Sequence, residues 1–124
     1  MRAYEEGFLM GLLVGEGHFD SGGIQAQMNI KMNVRHQKLL FWCSMMIPGS
    51  KIYGPYHHCG RHYLQWMARG KALRQVVLPL LLKNFYRFDE HIQYRICKMN
   101  EQHHLHDPKL VLPPSDEVGI PSSF

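Results

Sequence analysis

One carboxylate, Glu16, is the strongest candidate for chemistry, because it ends an apolar segment that contains Gly11 and Gly15. The spacing of the apolar residues predicts a helix that stops at this glutamate. A helix C-terminus carries partial negative charge, so a carboxylate there costs roughly 0.3–1 kcal/mol unless a cation offsets it. Gly11 and Gly15 lie four residues apart on one face, where the missing side chains let a second helix approach. The segment therefore predicts a metal ion and a partner helix.

The residues from Leu9 to Gly17 resemble the LAGLIDADG motif of homing endonucleases, and the residues beside them are similar as well. The positions that carry the resemblance are Phe8, Gly11, Gly15, Glu16, Gly17, His18 and Phe19. Val14 departs from the motif, since the family often has a second acid of lesser catalytic importance there. The other interpretation of the segment is an ordinary amphipathic helix that ends in a solvated glutamate.

The resemblance implies a homodimeric enzyme that cuts both DNA strands, because the chain has one motif and no internal repeat of it. In this family the motif helices of two halves pack at their glycines. This implies a dimer interface that contains Phe8, Gly11, Leu12 and Gly15. It also implies that Glu16 and the main-chain carbonyl of Gly15 hold Mg²⁺, or another divalent cation such as Mn²⁺. Hard oxygen ligands of this kind are the ones that Mg²⁺ prefers.

Phosphodiester cleavage also needs an activated water and a group that stabilises the charge developing on phosphate. The resemblance implies an assisting lysine at Lys83, although counting from the preceding proline puts Asn84 there instead. Asn33 and Lys31, where the second strand is predicted to end, are the candidates for positioning the water. The predicted catalytic residues are therefore Glu16, Lys83 and Asn33.

The distribution of charge indicates a polyanionic partner. The formal net charge is only +4, but the segment 21–88 contains ten basic residues and neither Asp nor Glu. These residues are Lys31, Arg35, Lys38, Lys51, Arg61, Arg69, Lys71, Arg74, Lys83 and Arg87. A surface of one sign attracts polyanions, whereas ordinary soluble surfaces mix both signs. The chain is therefore predicted to bind nucleic acid.

The predicted elements follow the order helix–strand–strand–helix–strand–strand–helix. The first helix begins at Tyr4, and the strand over 24–33 shows strict alternation of apolar and polar residues. Further helices are predicted over 35–46, from Gly70 onward and over 88–101, and further strands over 51–57 and 61–69. Pro79 is expected to bend or shorten the helix that begins at Gly70. The prediction is an α+β domain over 1–106 with an antiparallel four-stranded sheet, and a Pro/Ser-rich tail over 107–124. The resemblance, which covers roughly residues 4–100, implies a homing-endonuclease-like fold in which the sheet is saddle-shaped.

One face of this sheet carries residue types suited to base edges. Asn and Gln can bond adenine in two places, Lys and Arg can reach the guanine acceptors, and a two-stranded ribbon fits the major groove. Successive residues of a strand alternate between its two faces, and we call the face on which a residue falls its parity. This parity, together with the continuation of the motif, predicts DNA contacts from His18, Asp20, Gln25, Gln27, Asn29, Lys31, Lys51, Tyr53, Arg61, Tyr63 and Gln65. Two copies related by a twofold axis would recognise a long pseudo-palindromic double-stranded site.

Two alternative functions are also considered. The same fold could serve as a catalytically inactive DNA- or intron-RNA-binding protein, as in maturases and certain regulators. A more distant alternative is a zinc-dependent interaction domain, because histidine and cysteine are good zinc ligands. The histidine-rich segments are His57-His58-Cys59 with His62, and His103-His104 with His106, and neither has the paired spacing of a zinc finger.

The cysteine content bears on the compartment. Three cysteines, Cys43, Cys59 and Cys97, form no paired pattern, which favours free thiols in a reducing environment such as the bacterial cytoplasm or an organelle. No apolar stretch approaches the roughly 20 residues needed to cross a bilayer. The N-terminal segment also lacks the cleavage pattern of a signal peptide. A soluble, non-secreted protein without a membrane partner is therefore expected.

Overall fold

The computed structural model describes residues 1–21 and 25–103, which form an α+β domain of four helices and four strands. The helices are α1 (Ala3–Glu16), α2 (Gln37–Met46), α3 (Leu78–Lys83) and α4 (Glu90–His103). The strands are β1 (His18–Asp20), β2 (Gln27–Asn33), β3 (Lys51–His58) and β4 (Arg61–Arg69). Short 3₁₀ turns over Val34–His36 and Phe85–Arg87 precede α2 and α4. The predicted class and the antiparallel four-stranded sheet are confirmed, while the tail over 107–124 lies outside the described residues.

The strands lie in the order β1-β2-β4-β3, and each neighbouring pair is antiparallel. The central pair is in register from Gln27 opposite Arg69 to Asn33 opposite Tyr63. Strand β2 begins at Gln27, three residues later than the alternation predicts. The predicted inward residues Met28 and Ile30 are fully buried, so the predicted parity of this strand is confirmed.

The helices cover one face of the sheet, which we call the inner face. Trp66 lies at its centre with no exposed surface, and its indole N–H donates to Oγ of Ser50 at 3.0 Å. Around it pack apolar side chains from the strands and from all four helices. The largest fully buried ones are Leu9, Leu13, Met28, Ile30, Leu40, Ile47, Leu73, Leu78, Leu81, Ile96 and Met99. This packing commits one face of the sheet to the core and leaves the opposite face for solvent or a ligand.

A widened helical segment with π-helical bonding, Leu73–Val77, leads directly into α3. The N–H of Leu78 donates to the carbonyl of Leu73, five residues back. Pro79 follows at once, and because proline has no N–H it cannot donate to the carbonyl four residues back. The predicted distortion at Pro79 therefore takes the form of a π-helical turn, which keeps Leu73 and Val77 buried in the core.

The β3–β4 hairpin contains a β-bulge. Tyr53 pairs with Gln65, but the next pair is Tyr56 with Tyr63, so β3 has one residue more than β4 between these pairs. The extra residue falls at Gly54–Pro55, where Gly54 has a φ of +109°. Beyond this point the parity of β3 is reversed, so that Tyr56, and not the residue before it, continues the face that Tyr53 begins.

The same hairpin closes at Cys59 and Gly60, whose φ angles are +51° and +77°. Two successive residues with positive φ are typical of a type I′ turn, which matches the twist of the strands. The predicted bounds of β4 are confirmed at both ends, since Gly60 precedes it and Gly70, with a φ of +60°, follows it. Over the part of the chain that the structure describes, no helix has the length and apolar character needed to span a membrane.

Candidate nucleic-acid interface and metal position

The face of the sheet opposite the helices, here called the outer face, carries four exposed cations: Lys31, Lys51, Arg61 and Arg69. The register arranges the outer-face residues in rows that run across the strands. One row contains Lys31, Gln65 and Tyr53, and another contains His18, Asn29, Met67 and Lys51. Polar groups, aromatic rings and cations are thus interleaved across this face, a combination suited to bases and phosphates.

Most of the predicted contact residues lie on this outer face. His18, Lys31, Lys51 and Arg61 are exposed, and Asp20, Gln27, Tyr53, Tyr63 and Gln65 are half-buried. Gln27 donates from Nε2 to Oδ2 of Asp20 at 3.2 Å, so these two side chains bind one another across β1 and β2. Gln25 is exposed, but it lies in a bend before β2, close to Gly70, and is not part of the strand.

Asn29 lies on the outer face as predicted, but its side chain is covered. It is only 6% exposed, and its neighbours in register, His18 and Met67, flank it on both sides. Its amide can reach a base edge only if these neighbours move, so the predicted DNA contact requires a rearrangement of the free chain.

Four outer-face residues were missed by the sequence analysis. Met67 and Arg69 continue the parity of Arg61, Tyr63 and Gln65 along β4, and extending that alternation would have found them. Tyr56 and His58 lie beyond the bulge in β3, where parity counted from Lys51 assigns them to the wrong face. The rings of Tyr56 and Tyr63 contact each other across the strands, with centroids 5.4 Å apart.

Glu16 ends α1 with an exposed side chain and makes no ion pair with the residues that the structure describes. Gly17 lies close against the last turn of α1, because its N–H donates to the carbonyl of Leu13 at 3.0 Å. A Cβ at Gly17 would lie 2.2 Å from that carbonyl oxygen, so only glycine fits. This tight exit carries the chain directly from Glu16 into His18 of β1, at the edge of the outer face.

The atoms that could bind a metal ion at the end of α1 are hard oxygens. The carbonyls of the last helical turn, that of Gly15 among them, have no N–H partner within the helix. The Gly15 carbonyl and the Glu16 carboxylate are both of the ligand type that Mg²⁺ accepts. Among residues 1–21 and 25–103, no group of three or more His, Cys, Asp or Glu side chains lies close enough to hold a metal ion. A divalent ion held at Glu16 would therefore need further oxygens from water or a substrate to complete its coordination shell.

The exposed side of α1 is apolar and has no side chains at Gly11 and Gly15. A Cβ added at Gly11 or Gly15 would meet no atom within 4 Å. Phe8, on the same side, is 56% exposed and touches Trp42 of α2 with ring centroids 5.1 Å apart. Leu12 was also predicted at the interface, but it is buried in the core of its own chain, so this prediction is wrong.

Lys83 does not lie beside Glu16. Its Nζ lies 3.0 Å from Oε1 of Glu6, whose other carboxylate oxygen accepts from Nδ2 of Asn84 at 3.0 Å. Glu6 and Glu16 are ten residues apart in one helix, or about 15 Å at 1.5 Å per residue. The prediction that Lys83 assists Glu16 is therefore wrong, and the alternative, Asn84, is placed at Glu6 as well.

Asn33 also has a structural role. Its side chain accepts from the N–H of Arg35 at 2.9 Å and so caps the 3₁₀ turn that leads into α2. It lies four residues beyond Asn29, the partner of His18, and thus at the end of β2 away from β1. Lys31, the other candidate for positioning a water, lies nearer to Glu16 and is exposed on the outer face.

No protein-family model matches this chain, and a search of curated proteins finds no match.

Proposed function

We propose that this chain is a LAGLIDADG-type, site-specific DNA endonuclease that acts as a homodimer with Mg²⁺ or another divalent cation. The observation that carries the proposal is the placement of Glu16. Its exposed carboxylate ends a helix with an open glycine side and stands where that helix meets the edge of a cationic sheet face. Binding alone gives no reason for an acid next to DNA phosphates, because the two negative charges repel each other.

The open side of α1 supports dimerisation. Two copies packed at Gly11 and Gly15 would bring two Glu16 carboxylates close to a common axis and extend the outer face into a continuous surface. A duplex lying on that surface would place one scissile phosphate near each carboxylate. The two copies would then recognise the two halves of a long pseudo-palindromic site and cut both strands.

A bound divalent ion would supply Lewis-acid stabilisation of the phosphate and lower the pKa of a coordinated water. Glu16 and the Gly15 carbonyl would hold this ion, and Lys31, exposed on the outer face, would lie near the phosphate that the ion binds. The outer-face cations orient the duplex by contacts to its backbone, while Gln65 and Tyr53 reach toward the bases.

The test is cleavage of a library of double-stranded sites in Mg²⁺ by the parent chain and by Glu16→Gln. We expect cleavage by the parent, none by the variant, and binding by the variant at least as tight as that by the parent. Glu90→Gln, which removes an exposed carboxylate at the start of α4, is the matched control and should cut like the parent. Equal cleavage by Glu16→Gln and the parent would overturn the proposal.

A second candidate function is a DNA- or intron-RNA-binding protein with the same fold but without cleavage. One observation favours it: the two residues predicted to assist Glu16, Lys83 and Asn33, are engaged in structural bonds away from it. In the same experiment, this candidate predicts salt-sensitive binding with no cutting by any of the three proteins. Parallel binding assays with duplex DNA and structured RNA would then identify the nucleic acid.

A further inference from the structure

We infer that His57 and His62 form a site for a divalent transition-metal ion, of which Zn²⁺, Ni²⁺ and Cu²⁺ are the fitting members. The two residues are directly opposite in the register of β3 and β4, and both are exposed. Their rings meet edge to face, with centroids 4.5 Å apart, and Nδ1 of one faces Nδ1 of the other in hydrogen-bonding contact.

The convergence of the two Nδ1 atoms is the central observation. In such a contact one ring nitrogen must donate a proton and the other must offer its lone pair. Replacing the shared proton by a metal ion lets both nitrogens bind the ion through their lone pairs. Metal–nitrogen bonds of about 2.0–2.1 Å need the two nitrogens slightly farther apart, which exposed rings can provide by a small rotation. Imidazole suits Zn²⁺, Cu²⁺ and Ni²⁺, whereas Mg²⁺ prefers oxygen.

The hairpin holds the pair in place. His58 and Arg61 flank the two-residue turn as a hydrogen-bonded pair, so His57 and His62 occupy the next, non-hydrogen-bonded position, where opposite side chains approach most closely. The bulge at Gly54–Pro55 takes up the extra residue of β3, so His57 lies opposite His62 and on the same side of the hairpin. Strict alternation counted from Lys51 without a bulge would have assigned His57 to the outer face.

The surroundings make this an open site. On the helix side a groove of about 620 Å³ adjoins the pair and is lined by Val34, Phe41, Ile52 and Leu64 among others. Two protein ligands leave coordination positions for water or for a further ligand that enters this groove. His58 and Arg61 point to the opposite side of the hairpin, so a metal bound here does not occupy the outer face. The site is therefore separate from Glu16 and independent of the proposed cleavage.

The experiment titrates the full-length protein with Zn²⁺ and follows the backbone amide signals by NMR. Signals from 57–62 should shift and saturate, and Cu²⁺ should broaden the same signals, whereas Mg²⁺ should leave them unchanged. The response should be lost in both His57→Ala and His62→Ala. The control is His58→Ala, which removes the adjacent histidine on the other side of the hairpin and should keep the full response.

The readout is local, so the other histidines of the chain do not confound it. The exposure of both rings means that the variants should fold, and equal unfolding temperatures in chelator would verify this. The inference is overturned if signals from 57–62 do not respond in the parent chain. It is also overturned if His58→Ala loses the response as fully as His57→Ala does.

Discussion

Lys83 donates from Nζ to the carboxylate of Glu6 at 3.0 Å, and this contact ties the end of α3 to the first half of α1. The two residues are 77 positions apart in the chain. Glu6 is only 15% exposed in its side chain, whereas Lys83 is 67% exposed. The contact therefore links α3 to the first half of α1, while the opposite end of that helix, with Glu16, is open to solvent.

The first prediction concerns the pH dependence of this contact. The hydrogen bond from Asn84, and then that from Lys83, lower the pKa of Glu6 below its ordinary value of 4.5. A lowered pKa in the folded state means that the stabilisation is present above the ordinary pKa and is lost as the pH falls through the folded-state value. Glu6→Gln should reduce the Tm at pH 7 by at most about 5 °C, because Lys83 is solvent-exposed.

In thermal unfolding experiments, the difference in Tm between Glu6→Gln and the parent should stay constant from pH 7 down to the ordinary pKa of 4.5 and shrink as the pH is lowered further. Glu101→Gln, at an exposed position late in α4, should show no comparable trend. A difference that grows on acidification would contradict the assigned contact.

A second prediction compares two motif glycines. Gly17→Ala should destabilise the chain by about 1–3 kcal/mol, because its Cβ would overlap the Leu13 carbonyl and force the end of α1 to shift. Gly11→Ala should stabilise the monomer by up to about 1 kcal/mol, because alanine favours the helix and the added methyl meets no atom. Denaturant unfolding of both variants measures this contrast, and effects of the same sign would refute it.

A third prediction concerns self-association. Gly15→Leu should leave the monomer folded, since a Cβ at that position meets nothing within 4 Å, but should separate two α1 helices that pack at their glycines. Light scattering should then report half the parent mass, with an unchanged circular dichroism spectrum. His91→Leu on the exposed side of α4 serves as the control and should retain the parent mass. An undiminished mass for Gly15→Leu would exclude this interface.

The fourth prediction tests the outer face. Lys51→Ala and Arg69→Ala should each weaken duplex binding and reduce the slope of log affinity against log salt by about 0.9, the value expected for one lost phosphate contact. Lys98→Ala, which removes an exposed cation from α4, should leave both quantities unchanged. Fluorescence anisotropy over a range of salt concentrations gives the slopes. Identical slopes for all three variants would place the nucleic acid elsewhere.

The fifth prediction uses the thiols. Burial raises the pKa of Cys43 to about 11, and Cys43 has no exposed surface, so it should resist a thiol reagent at pH 8 until the chain unfolds. Burial, and then the nearby Glu101, also raise the pKa of Cys97. Cys59 is exposed and should react first. Cys59→Ser should remove the fast phase, and a fast phase that persists in this variant would contradict the protection of Cys43 and Cys97.

The parts of the fold that local patterns determine were predictable from the sequence. Strand β4 was predicted with its observed bounds, because its alternation is uninterrupted and Gly60 and Gly70 bound it. The helix that ends at Glu16 was predicted for a similar reason, since apolar spacing and the following glycine both indicate the end.

The parts that depend on distant neighbours were not predictable in this way. Asn29 has the predicted parity, but its burial is set by side chains from two other strands. The location of Lys83 depends on its contact with Glu6, which lies far away in the chain. The outer-face position of Tyr56 depends on one extra residue that periodicity does not register.

That extra residue in β3 marks a point where the hairpin can change its length without changing its faces. Because Gly54 and Pro55 together lie opposite Leu64, deleting Pro55 would restore regular pairing and keep His57 opposite His62 and His58 opposite Arg61. The bulge would disappear, while the helices and the strands β1, β2 and β4 would stay as they are. Homologues with one residue fewer at this position should therefore present the same side chains at the tip of the hairpin.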